Sequence, residues 1–203
     1  MTDRRLVLAT ANPGKLRELR ELLADHTILG LADVGLGDLP ETSDTFMGNA
    51  TQKAVEAARR TGLPCLADDS GLCVDALGGA PGVYSARFAG RHGDDAANRA
   101  LLLERLRDVA DDRRAARFRC VLALADQAGA LGSRVLHAEG ECLGAITRAP
   151  RGDGGFGYDA LFVPAGESRT MAELPSSVKH ALSHRGAALR AMLPTLRAYL
   201  AAR

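Results

Sequence analysis

Tryptophan is missing from this sequence altogether, and Phe and Tyr bring the aromatic share to only 4%. That argues against the aromatic platforms on which single-stranded nucleic acids stack. Net charge is equally scarce: 26 Lys and Arg offset 25 Asp and Glu, leaving +1 at neutral pH. No global field draws in nucleic acid or an anionic membrane, so any anionic ligand must be held by a local cluster. Long apolar runs are also lacking. None approaches the roughly 20 residues that span a bilayer, and the run within "MTDRRLVLATANPGK" is too short for a signal peptide. The four cysteines, at 65, 73, 120 and 142, include no CxxC pair and no metal-like spacing. Each sits in apolar sequence, as buried thiols in a reducing compartment do. The expectation is a soluble, cytoplasmic chain with neither nucleic acid nor membrane as partner.

What is present is a mixed pattern of strands and helices without a linker or repeat. The 203 residues suffice for one large domain with a substantial core, or for two lobes. "RLVLAT" (5–10) reads as a buried strand followed by a Pro-Gly turn. In "GKLRELRELLAD", Leu16, Leu19, Leu22 and Leu23 share one helical face. "HTILG" is a second strand, and an irregular loop covers 31–44. An Ala-rich helix follows over 45–61, stopped by Gly62. "LPCLAD" and "GLCVDAL" read as two short strands around an acidic pair, and "GGAPGVYSARFAG" as a loop. "DDAANRALLLERLRDV" is a helix opened by acids, as the helix dipole prefers. "RFRCVLALAD" and "RVLHAEGECLG" read as a hairpin, a glycine-rich loop runs from Thr147 to Gly157, and "DALFVP" is the last strand. The C-terminus is helical, with a kink or break expected at Pro194, whose ring would clash with the carbonyl of Arg190. The fold class is α/β, taken as one domain over residues 1–203.

Several stretches carry chemistry. "TANPGK" (10–15) sets Asn12 and Lys15 at a strand-to-helix turn, where backbone N–H groups and the positive end of a helix dipole suit an anion. It is not a Walker A loop, because Leu16 stands where Ser or Thr is needed. On this stretch alone, a plain βα turn with an exposed lysine fits slightly better. "GDGGFG" (152–157) satisfies G-x-G-x-x-G by letter, but no buried strand precedes it and no helix follows. A dinucleotide fingerprint is therefore rejected. A ligand-wrapping loop presenting Phe156, Tyr158 and Asp159 remains. His180 and His184 stand four apart on an expected helix, but Lys179 and Arg185 beside them would repel a cation, so zinc is not expected. The same cluster presents Lys179, His184 and Arg185 as donors for phosphate or a carbonyl-bearing base. Read in isolation, it fits a solvated helix face better.

"LADDSGL" (66–72) ends an apolar run in two acids, Asp68 and Asp69. Asp69 with Glu41 offers oxygen ligands to a hard divalent ion, and Mg²⁺ typically takes one or two carboxylates plus phosphates and water. Lys15, Lys53, Lys179 and Arg185 would then clamp phosphates. From the residues alone, a phosphoryl-transfer site and acids that merely cap a turn both stay open.

Taken in order, "LATANPGKLREL", "ETSDTFMGNATQKA", "LADDSGLCVDALGGAPGVYSARFAG", "GGFGYDALFVP" and "SHRGAAL" resemble the inosine triphosphate pyrophosphatase family, from residue 6 to about 189. The resemblance implies hydrolysis of deaminated purine nucleotides (ITP, dITP, XTP, dXTP) to monophosphate and pyrophosphate. It implies a long bent mixed sheet with helices in two lobes about a cleft, and a homodimer. By the same resemblance Thr10, Ala11, Asn12, Pro13, Gly14 and Lys15 bind the triphosphate together with Lys53. Asp69 is the general base and, with Glu41, a ligand of Mg²⁺; Ser70 touches the substrate. Phe156, Gly157, Tyr158 and Asp159 line the base pocket, joined by Lys179, His184 and Arg185. Ser70-Gly71 is expected to turn the chain tightly beside the substrate. Gly48 stands where many relatives carry an acid; if that acid supports the metal there, ion binding here is weaker. The rival readings are a pyrophosphatase of similar fold acting on other nucleotides, and a nucleotide sensor without turnover.

Overall fold

A computed structural model describes residues 5–24 and 27–201. His26, expected at the head of the second strand, lies outside the described residues. Among the described residues six strands form one mixed sheet in the order β2-β1-β3-β4-β5-β6. They are β1 (Arg5–Leu8), β2 (Thr27–Gly30), β3 (Cys65–Val74), β4 (Ala115–Ala125), β5 (Val135–Ile146) and β6 (Phe162–Pro164). β1 lies parallel to both β2 and β3, with Val7 and Leu8 opposite Cys65 and Leu66. β6 runs antiparallel to β5. The helices are α1 (Pro13–Leu22), α2 (Phe46–Thr61), α3 (Asp95–Arg105), α4 (Ser176–Leu182) and α5 (His184–Ala201), with short 3₁₀ turns in the loops. The α/β class and the mixed sheet agree with the reading of the sequence.

The chain divides into two compact units, one of Met1–Asp69, Cys120–Gly140 and Ala188–Arg203, the other of Ser70–Arg119 and Glu141–Ala187. Each has its own core. In the first, Leu6 and Leu8 of β1, Leu19 and Leu23 around α1, Leu66, and Leu122 and Leu124 of β4 close on Leu189, Met192 and Leu196 of α5. β1 is buried on both faces beyond Arg5, which is why it reads as a continuous apolar run rather than an alternation. In the second, Leu72, Leu102, Leu106, Phe118, Tyr158, Leu161 and Phe162 are buried together.

Four expectations are corrected. The acidic pair does not separate two strands, because β3 runs unbroken for ten residues through Asp68, Asp69, Ser70 and Gly71. Ser70 and Gly71 lie inside that strand and make no turn. Pro194 does not break α5, which continues on both sides of it. Its lost hydrogen bond is outweighed by burial of Leu189, Met192 and Leu196 in the first core. His180 and His184 do not share a helix, because Ser183 takes an extended conformation between α4 and α5. Other boundaries hold: Gly62 ends α2 with φ 66°, the left-handed region glycine enters without cost.

One buried charge holds the second unit's backbone together. Arg114, 2% exposed, donates to the carbonyls of Leu106 at 2.7 Å, Ile146 at 2.8 Å and Thr147 at 2.9 Å. Its planar fork serves three carbonyls from separate segments, one of which, that of Leu106, also accepts from the Val109 N–H at 3.1 Å. Arg114→Met keeps an apolar stem but removes the charged donor from all three buried carbonyls, and urea unfolding should show a loss of about 2–4 kcal/mol. Arg114→Lys should recover only part of it. A loss below about 1 kcal/mol in Arg114→Met would mean that the guanidinium is dispensable.

Candidate active site

The strand-to-helix turn after β1 is fixed by its own side chains. Asn12 caps α1, its Oδ1 accepting from the N–H groups of Gly14 at 2.9 Å and Lys15 at 3.1 Å. Thr10 Oγ1 in turn accepts from the Asn12 N–H at 3.2 Å, and Pro13 opens the helix. Two of the amides expected to face an anion are therefore used by Asn12. The turn holds Lys15 in place, with its Nζ 3.4 Å from Asp68 Oδ1.

α2 contributes the other half. Thr45 caps it through the Gly48 N–H at 3.0 Å. One turn in, Asn49 Nδ2 donates to Asp69 Oδ2 at 3.1 Å, while its Oδ1 accepts from the Ser43 N–H at 2.9 Å. One further turn along, Lys53 donates to the Asp68 carbonyl at 2.7 Å, sits 3.6 Å from Asp69 Oδ1, and pairs with Glu41. Because β3 is a strand, Asp68 and Asp69 point to opposite faces. Asp68 meets Lys15 and the Cys120 thiol at 3.9 Å, whereas Asp69 meets Asn49 and Lys53. Sequence reasoning missed Asn49, although its place four residues before Lys53 puts both on one helical face.

Both groups at the heart of this cluster titrate abnormally. Burial pushes the Asp69 carboxyl above the usual carboxylate range, against the pull of Lys53 and Lys15. Burial also disfavours the charge on Lys53, but Asp69, Glu41 and Asp68 outweigh it and hold the ammonium above the ordinary lysine value. Three acids against two lysines leave the cluster one negative charge in excess. Among the described residues no group of three or more His, Cys, Asp or Glu is arranged as a metal cage. Asp69 and Glu41, all-oxygen donors that share a cation already, fit instead a hard ion completed by substrate oxygens and water. At Gly48 a side chain would collide with that of Ser43 and come within 2.9 Å of Thr45 Oγ1. An acid there would thus displace the groups that cap α2.

The remaining expected residues lie in the second unit. Arg185, 2% exposed, donates to Ser70 Oγ at 3.0 Å. Lys179 Nζ binds Asp159 Oδ2 at 2.7 Å, and that oxygen also accepts from the Phe156 N–H at 2.8 Å. The half-buried Phe156 ring carries both cations, with Lys179 Nζ 5.1 Å and the Arg185 guanidinium carbon 5.7 Å from its centre. His184 stacks on Phe118 with ring centres 4.8 Å apart. The basic cluster is therefore buried and not a solvated helix face. Tyr158 is in the core, its hydroxyl donating to the Ser85 carbonyl at 2.9 Å, and burial raises its pKa. Gly157 has φ 58°, and its N–H and carbonyl are both bonded to α3.

Comparison with known proteins shows the family of the chain. The profile of the Ham1 family matches residues 6–195. This chain belongs to the Ham1 family. The chain is 52% identical to the dITP/XTP pyrophosphatase of Streptomyces coelicolor, across 97% of this chain and 98% of that one. It is 53% identical to the protein of the same name from Nocardia farcinica, across 98% and 97%. The solved structure of a HAM1 protein from Coxiella burnetii superimposes with a TM-score of 0.84 at 44% identity, covering 95% of this chain and 98% of that one.

Removing Lys53 exposes what its charge offsets. Lys53→Met leaves Asp69 and Glu41 without their shared cation and takes a donor from the Asp68 carbonyl, and should cost about 3–5 kcal/mol of unfolding free energy near neutral pH. A lysine whose folded pKa is raised adds stability that is complete below its unfolded pKa and lost as pH rises through the folded value. The difference between wild type and variant in urea melts should accordingly stay level up to about pH 10 and shrink above it. A gap that widens with rising pH would contradict this assignment.

Proposed function

We propose that this chain is a nucleoside triphosphate pyrophosphatase that hydrolyses ITP, dITP, XTP and dXTP to the monophosphate and pyrophosphate. The observation that carries the proposal is Asp69, a buried carboxylate bonded by Asn49 and flanked by Lys53. The full-length relatives named dITP/XTP pyrophosphatase support the choice of substrate.

The roles follow from the chemistry of each group. Lys15 and Lys53 bind the phosphates, exchanging some of their carboxylate contacts for phosphate oxygens. Asp69 takes the proton of the water that attacks the α-phosphorus; a carboxylate raised above its usual range is the stronger base. Asn49 anchors Asp69 Oδ2 and so orients the carboxylate toward the proton. Asp69 and Glu41 would hold Mg²⁺, which would offset phosphate charge and polarise the phosphoryl oxygens when bound. For the base, Phe156 offers a stacking face and Arg185 only donors, which match a 6-oxo purine and oppose the 6-amino group of adenine. The same reading takes the chain as one domain, a cytoplasmic homodimer acting on free nucleotides.

Pyrophosphate release from ITP, XTP, dUTP and ATP, measured side by side with Mg²⁺ and with EDTA, tests the proposal. ITP and XTP should lead by a wide margin, and EDTA should abolish turnover. Asp69→Asn should lower kcat by about 10²–10⁴-fold. Preference for dUTP would point to another nucleotide class, and binding without turnover to a sensor. Near-wild-type rates in Asp69→Asn would refute its role as the base.

A further inference from the structure

Helix α3 grips the loop that carries Phe156. Asp95 is its first residue and Arg99 lies one turn on. Asp95 Oδ2 accepts from the Gly157 N–H at 2.7 Å, and Arg99 Nη1 donates to the Gly157 carbonyl at 2.8 Å. Both bonds involve a charged partner and lie at the short end of the range, as strong bonds do. The helix does not need Asp95 to begin, since Asp94 caps it through the Ala97 N–H at 3.0 Å. Nor do the two side chains merely decorate a solvated face; both are half-buried and reach 62 and 58 residues along the chain.

The grip acts on both peptide groups of Gly157, Asp95 on the one shared with Phe156 and Arg99 on the one after it. Gly157 holds φ 58°, a conformation that glycine enters freely and leaves as freely. Left alone, it would let the ring swing. On the other side, the Phe156 N–H is held by Asp159, itself fixed by Lys179. Phe156 is thus pinned through both of its flanking peptide groups, while Lys179 and Arg185 lie over its ring.

We propose that Asp95 and Arg99 are positioning residues for base discrimination. They fix the plane of Phe156, so that a purine stacked on it presents its 6-substituent to Arg185. This rests on the reading of Phe156 and Arg185 as base-binding groups. Neither Asp95 nor Arg99 touches the phosphate-handling groups, so their loss loosens base binding and leaves the hydrolytic step intact. Such a loss raises KM with kcat unchanged.

The test is steady-state kinetics with ITP and ATP in Asp95→Asn, Arg99→Gln, Arg99→Lys and Phe156→Ala, with a thermal melt of each. Asp95→Asn and Arg99→Gln should raise KM for ITP by roughly 10-fold, with kcat nearly unchanged. Both should narrow the ITP/ATP ratio of kcat/KM, and Arg99→Lys, which keeps a donor, should recover part of the loss. Variants that melt earlier but keep the wild-type KM and ratio would show a purely structural clamp and overturn the proposal. If Phe156→Ala raises KM for ITP while neither clamp variant does, the clamp alone is wrong. If Phe156→Ala leaves KM for ITP unchanged, the reading of the base site fails and the clamp falls with it.

Discussion

An ammonium buried to 5% exposure cannot remain charged without close anionic partners, and Lys53 organises everything around it for that reason. It takes the carbonyl of Asp68, the carboxylate of Asp69 and the side chain of Glu41, and so ties α2, β3 and the loop before α2 to one point. The acids repel one another, and the shared cation lets them stay close. Lys15 completes the balance from the start of α1. The cluster keeps one excess negative charge, and an arriving triphosphate brings several more. That excess is the physical argument for the divalent ion in the proposed function: phosphates would meet carboxylates with too little lysine charge to offset both.

Recognition is built differently. In the second unit the groups assigned to the base depend on backbone control more than on charge balance. Three glycines of one loop, Gly152, Gly155 and Gly157, take positive φ, and each needs an outside partner to stay in one conformation. Asp159 holds Phe156, α3 holds Gly157, and at Gly155 any side chain would strike Asp159. A site on a loop is accurate only when such supports remove the loop's freedom. Arg185 and Lys179 reach their positions from the two helices that Ser183 separates.

Much of this was legible beforehand, and the failures have identifiable causes. α2 was readable because Thr45, the alanines and Gly62 are local signals, and no long-range contact opposes them. The burial of Lys179 and Arg185 was not, because a run of cations carries no sign of the Phe156 ring that meets it. β3 was misread as two strands because adjacent acids and a Ser-Gly pair look like a turn; distant lysines and Asn49 make the acids tolerable inside a strand. A break at Pro194 does not occur, because the core contacts of α5 outweigh one missing bond. Arg114 drew no notice, since its three carbonyl partners come from segments far apart in sequence. Where the expectation fails, a contact distant in sequence decides the outcome.

The central claim is that the Asp69 cluster directs water to the α-phosphorus of a nucleoside triphosphate. Its most direct test is a single turnover of ITP in ¹⁸O-labelled water, followed by mass spectrometry of both products. The account predicts one label in the monophosphate and none in the pyrophosphate. Label in the pyrophosphate would place the attack on the β-phosphorus, and release of diphosphate with labelled orthophosphate would place it on the γ-phosphorus. Either result would contradict the mechanism proposed for this cluster.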